Sequence, residues 1–219
     1  MSPRQPAPRT QVRRLPDKQS HDRAGLDRLL DHALVAHVAV VADDGQPFVL
    51  PVGFARDGDR LILHGSNASR LFRGLAAGAP TCVSVTALDG LVVARSQFES
   101  SMHYRSAMVL GRCTELTGDE KSAALATLTE HLMPGRGADA RPPSAKELAA
   151  TCVLAIPLQE WSLKVSDSPP DDADEDLDRP VWAGVVPLLH HFGHPVDAPD
   201  LRAPRPVPAY VRSWPDGRS

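Results

Sequence analysis

The residues whose types and spacing suit them to chemistry gather between Leu61 and Leu75, in the run LILHGSNASRLFRGL. Ser66, Ser69 and the planar cation of Arg70 follow directly on His64 and Gly65. Hydroxyls and a guanidinium at a helix start, where the first backbone N–H groups lack partners, are equipment for holding a phosphate. The plainer reading is an ordinary capped helix with a surface arginine. His64 stands one step before the turn, either as a strand-end histidine bonded to backbone or as a hydrogen-bonding or proton-donating group beside a ligand. Arg95 and Arg105 follow the strand-like runs LVVA and SMHY. Each alone suits a surface position; together with Arg70 they hint at an anionic ligand.

Other chemistries find less support. His190, His191 and His194 form HHFGH, a spacing able to hold a metal, but no cysteine or second ligand set accompanies it. His37 falls inside a strand-like run and reads as structural. There is no Gly-x-Ser-x-Gly elbow, Walker lysine loop or His-Glu-x-x-His. The acidic run Asp167 to Asp178 has no glycine-punctuated calcium-loop spacing and reads as a solvated linker. A formal net charge of -3 gives no reason to expect nucleic acid. No apolar window reaches the length of a membrane span, and the basic N-terminus lacks the apolar stretch of a signal peptide. The 3 cysteines, Cys82, Cys113 and Cys152, are far apart and sit in apolar runs. Buried free thiols and a reducing, cytoplasmic setting follow.

The elements that must position these groups can be read in order. Helical spacing of Leu26, Leu29 and Leu30 places a helix over Asp22 to Ala33, with Ser20 as a cap. Leu34 to Ala42 reads as a strand, Asp43-Asp44-Gly45 as a turn, and Gln46 to Ala55 as the next strand. Pro51 inside that strand points to an edge or a bulge, and Gly53 to close approach by something else. After Arg56-Asp57-Gly58-Asp59 comes the strand that stops at His64, turns through Gly65 and opens a helix at Ser66 or Asn67. Pro80 to Leu88 alternates as a strand, and Asp89-Gly90 is a two-residue hairpin signal that sends Leu91 to Ala94 back alongside it. Ser101 to Cys113 is a further strand, kinked at Ser106. Thr117 to Glu120 and Ser144 to Glu147 are capping boxes opening two helices. Thr151 to Leu158 and Glu160 to Val165 are the last strands.

Short antiparallel strands with a few inserted helices exclude a doubly wound sheet and suggest a closed barrel. Residues 1–20 read as an extended or disordered tail, 21–166 as the barrel domain, 167–179 as the acidic linker, and 180–219 as an extension packing on the barrel or on a dimer partner.

The run LHGSNASRLFRGLAAGAPTCVSVTALDGLVVARSQFESSMHYRSAMVLGRC resembles the flavin-nucleotide-binding branch of the pyridoxamine 5′-phosphate oxidase-like superfamily, with the 5-nitroimidazole-resistance (Nim) proteins as relatives. The likeness extends over DDGQPFVLPVGFARDGDRLILH upstream and TEHLMPGR, RPPSAKEL and PVWAGVVPL downstream. It implies a mainly β fold with a few helices, the FMN-binding split barrel: an antiparallel Greek-key β-barrel, homodimeric, with FMN at the subunit interface. It implies that Gly65, Ser66, Ser69 and Arg70 hold the FMN phosphate, and that Pro51, Val52, Gly53 and Phe54 lie along the isoalloxazine ring. It places His64 near the flavin, as the catalytic candidate. Tyr104, Arg105 and Ser106 resemble the strand reaching the cofactor, and Trp161 the aromatic near the groove. Arg70 is followed by Leu71 where oxidases of pyridoxamine phosphate carry an Arg-Lys pair, and their C-terminal Arg/His pattern is absent, which argues against vitamin B6 oxidation. The expected function is an FMN-dependent oxidoreductase of a small molecule, with NAD(P)H as donor and nitro-compound reduction as one form. The alternatives are a flavin or haem protein that binds or senses without turnover, and a deazaflavin-dependent reductase of the same fold.

Overall fold

A computed structural model describes residues 8–42 and 44–217. In chain order the elements are β1 (Gln19–Ser20), α1 (Arg23–His32), β2 (Val35–Val41), β3 (Pro47–Asp57), β4 (Arg60–Ser66), α2 (Arg70–Ala76), β5 (Pro80–Val93), β6 (Ser101–Arg112), β7 (Thr114–Glu115), α3 (Gly118–Leu132), α4 (Ala145–Ala150), β8 (Thr151–Pro157), β9 (Glu160–Ser166), β10 (Gly184–Pro187) and α5 (Ala209–Gly217). The strands lie in the order β1-β9-β6-β5-β2-β3-β4-β8-β7, with β10 added to β5. Neighbours run antiparallel throughout, as in β2 with β3 and in β5 with β6.

One strand joins the two halves of the barrel. Residues 47–53 of β3 pair with β2, and residues 54–57 pair with β4. The partner changes between Gly53 and Phe54. Pro51 lies in the half with one neighbouring strand, where a missing N–H breaks no ladder on the open side. Alternation along β4 explains its unbroken apolar run. Leu61 and Leu63 join the main core with Phe54, Val83, Val85, Val109, Leu154, Ile156 and the α1 leucines Leu26, Leu29 and Leu30. Ile62 faces the other way, where Ala55, Val153 and Ala155 are covered by Ala124 and Leu128 of α3. Over Leu61–Leu63 both faces of β4 are therefore dry.

Several local expectations are revised. Gly65 is not in a turn: β4 continues through it, with Gly65 opposite Cys152 and Ser66 opposite Thr151. The glycine is needed for packing, since a Cβ there would lie 2.2 Å from the Phe72 ring. Helix α2 opens at Arg70 after Ser69, whose side chain makes no capping bond. Asn67 donates to the Ala149 carbonyl at 2.6 Å instead of capping. Asp89-Gly90 makes no hairpin either. β5 is one strand of 14 residues with a bulge between Leu88 and Gly90. Partners on both edges hold it straight, and a Cβ at Gly90 would sit 2.8 Å from the Val186 carbonyl of β10. The chain reverses later, between β5 and β6, and β6 runs past Ser106 with its register unbroken. Asp22, not Ser20, caps α1 by accepting from Ala24 N at 2.9 Å. Of the two capping boxes, only the one from Ser144 to Glu147 forms; the Thr117 side chain makes no capping bond.

The segment after β9 is docked. Asp172 has a side chain only 1% exposed, accepting from Arg95 N at 2.6 Å and from Arg95 Nη1 at 2.9 Å. It is thus pinned, where a solvated linker was expected. Beyond β10 the chain returns through α5, where Trp214 Nε1 donates to the Pro134 carbonyl and Tyr210 Oη to Asp139. Residues 1–7 of the expected N-terminal tail, Asp43 and residues 218–219 lie outside the described residues. Of the cysteines, Cys113 and Cys152 are buried and Cys82 partly so, all as free thiols. Among the described residues no helix is long and apolar enough to cross a membrane, and no group of His, Cys, Asp and Glu could hold a metal.

Candidate functional site

The β3 strand and α2 build a groove of about 760 Å³. Its floor is the edge of the barrel, with Val40 and Val41 from β2 and Phe48 and Leu50 from β3. Its rim carries Ser69, Arg70 and Arg73 from α2 and Arg112 from the end of β6. Arg70 lies over the Phe48 ring, 3.9 Å from its centroid, as a planar cation does on a π face. Arg112 donates to the Gly78 carbonyl at the close of α2. Among the described residues none of the three arginines has a carboxylate partner. Arg70 and Arg73 are three residues apart on one helix, close enough for their like charges to repel.

His64 occupies the seam where β3 leaves β4. Phe54 pairs with Leu63, and β3 then turns away to β2, so His64 is the first β4 residue without a β3 neighbour. It pairs with Val153 on its other side. Its ring is half-buried, and Nδ1 is buried with no hydrogen-bond partner among the described residues. Burial pushes the imidazole below its ordinary value, so it is neutral at neutral pH. In that form it donates or accepts one hydrogen bond; it is not a standing source of protons.

Of the residues expected to meet a ligand, Ser69 and Arg70 line the groove. Pro51 to Phe54 continue β3 directly from its floor residues Phe48 and Leu50, and His64, Gly65 and Ser66 follow the seam in β4. Val52 and Phe54 turn their side chains into the core. The neighbour closest to Gly53 is Leu132 of α3, at an ordinary 3.5 Å from a built Cβ. Tyr104, Arg105 and Ser106 are not brought to the groove within this chain. They sit six or more residues from Arg112 along β6, about 20 Å or more. Arg105 is held by Asp89 at 2.7 and 2.9 Å, and Ser106 Oγ meets Thr86 Oγ at 3.1 Å. Trp161 packs against the main core opposite Val109. Sequence reading overlooked Phe48, Arg73 and Arg112. Arg73 was reachable, since it falls three residues after Arg70 on one helical face. Nothing in the sequence marks Phe48 or Arg112, which only the barrel closure brings near α2.

Residues 22–165 match the model of the family described as pyridoxamine 5′-phosphate oxidase. The chain belongs to that family. This family member is similar to a solved FAD and haem binding protein from Mycobacterium smegmatis, with 51% identity over 90% of this chain and 97% of the other, and a TM-score of 0.87. It is similar to the flavocytochrome Anf3 from Azotobacter vinelandii, with 37% identity over 94% and 96% of the two chains and a TM-score of 0.87. A putative 5-nitroimidazole antibiotic resistance protein from Bacteroides thetaiotaomicron VPI-5482 shares the fold at 22% identity over 67% and 86%, with a TM-score of 0.58. No curated protein matches the chain. The architecture is the split barrel of this family.

Proposed function

We propose that this family member binds a flavin nucleotide along β3, with its phosphate under α2, and works as an oxidoreductase on a small molecule. The observation that carries the reading is the groove itself. Three guanidinium groups, none with a carboxylate partner among the described residues, meet an apolar floor that includes Phe48. Such a set is built for an anion attached to a flat, apolar body. Arg70, fixed on Phe48, would take the phosphate, with the Ser69 hydroxyl beside it. His64, neutral and with Nδ1 unbonded, would offer a hydrogen bond where the two sheets part. A bound flavin supplies hydride and single-electron transfer. The relatives from M. smegmatis and A. vinelandii, named as an FAD and haem binding protein and a flavocytochrome, support the flavin.

The protein works as a homodimer. Val35, Val41 and Val49 project from the β2–β3 face away from the core, and they are 48%, 62% and 57% exposed. That outer face needs a cover, and the second copy would also bring its own β6, with Tyr104, Arg105 and Ser106, toward the groove. A cytoplasmic setting, NAD(P)H as donor and a nitro compound as one acceptor complete the proposal.

A second reading adds haem. It is favoured by the haem and flavocytochrome relatives and by the unbonded imidazole of His64, a residue type that ligates haem iron. One spectrum separates these readings. Purified protein with flavin absorption that bleaches with NAD(P)H and returns with an acceptor supports the oxidoreductase. A Soret band that is lost in His64→Ala supports haem beside the flavin. Protein that takes up only a deazaflavin, or no flavin at all, contradicts the proposal.

A further inference from the structure

The groove is longer than one phosphate needs. It runs beside α2, whose 7 residues span about 10 Å, from Ser69 to Gly78. Its cations are spread along that length. Arg70 is fixed at the β3 side over Phe48. Arg73 stands about 4.5 Å further along the helix axis. Arg112 closes the far end, tethered to the Gly78 carbonyl. A volume of about 760 Å³ accommodates a drug-sized ligand body, not a phosphate alone. A mononucleotide phosphate held by Arg70 would leave the Arg73 and Arg112 end without its anion.

We propose that Arg73 and Arg112 form the subsite for the second phosphate of a dinucleotide flavin, and that these two side chains set the preference for FAD over FMN. This inference rests on the flavin reading above and adds residues to it. Arg70 serves the phosphate shared by both cofactors, whereas Arg73 and Arg112 meet only the phosphate that FAD adds. The guanidinium fork suits this task, because it presents several N–H donors to phosphate oxygens at once.

The test is a pair of equilibrium titrations, FMN and FAD, followed by flavin fluorescence on wild-type protein, Arg73→Gln and Arg112→Gln. The expected result is an FAD dissociation constant raised at least about tenfold in each variant, with the FMN constant within about twofold of wild type. Arg73 is exposed and makes no ion pair among the described residues, so Arg73→Gln keeps the fold even if Arg112→Gln loosens the end of β6. Wild-type protein that binds FMN but not FAD, equal losses for the two flavins, or no loss for either overturns the inference while leaving flavin binding in place. Wild-type protein that binds neither overturns both.

Discussion

Two residues carry tests of the local physics. Gly65 sits in β4 with the Phe72 ring filling the place of its absent side chain. Gly65→Ala should destabilise the fold by about 1–3 kcal/mol through overpacking, read as a lower denaturant midpoint. Adding Phe72→Leu to that variant should recover part of the loss, because contacting sites are not additive. His64 tests the electrostatics of the seam. Its folded-state value lies below the ordinary 6.5 because of burial, so the folded protein binds fewer protons than the unfolded chain below that pH. Stability should therefore fall as pH drops from about 6.5 toward the lower folded value, and His64→Phe should flatten that fall. Denaturant midpoints between about pH 5 and about pH 8 measure it. The sequence singled out both residues but misjudged Gly65. Glycine before a polar pair reads locally as a turn, and only the pairing with β8 reveals a strand that continues.

At the scale of elements, strand and helix positions were largely legible, because alternation in β4 and β5 and helical spacing in α1 and α3 are short-range signals. The failures lie where a long-range partner overrides a local signal. Asp89-Gly90 becomes a bulge because β6 and β10 hold both edges of β5. The acidic segment reads as solvated from composition, yet Asp172 is buried against Arg95. Asp172→Ala should remove about 2 kcal/mol of charge-assisted hydrogen bonding locally. It should make residues 167–183 sensitive to limited proteolysis while the barrel stays intact. Protease resistance equal to wild type would show that Asp172 does not hold the segment down.

At the scale of the whole molecule, the split barrel and its family could be reached from motif order, whereas the full lining of the groove beside α2 could not. It takes side chains from β2, β3, α2 and β6, which meet only after the barrel closes. The same closure leaves the β2–β3 face apolar and exposed, and the proposed dimer covers it. Val49→Asp should lower the dimer fraction in light scattering at fixed concentration; an unchanged mass would place any interface elsewhere. The most direct test of the flavin site is the Arg70→Ala variant, titrated with FMN and with FAD beside wild type. Wild-type protein is expected to bind flavin, and the variant to bind both flavins at least about tenfold more weakly, about 1.4 kcal/mol. Equal affinity in the two proteins, or a wild-type chain that takes up neither flavin, would contradict a phosphate site at Arg70.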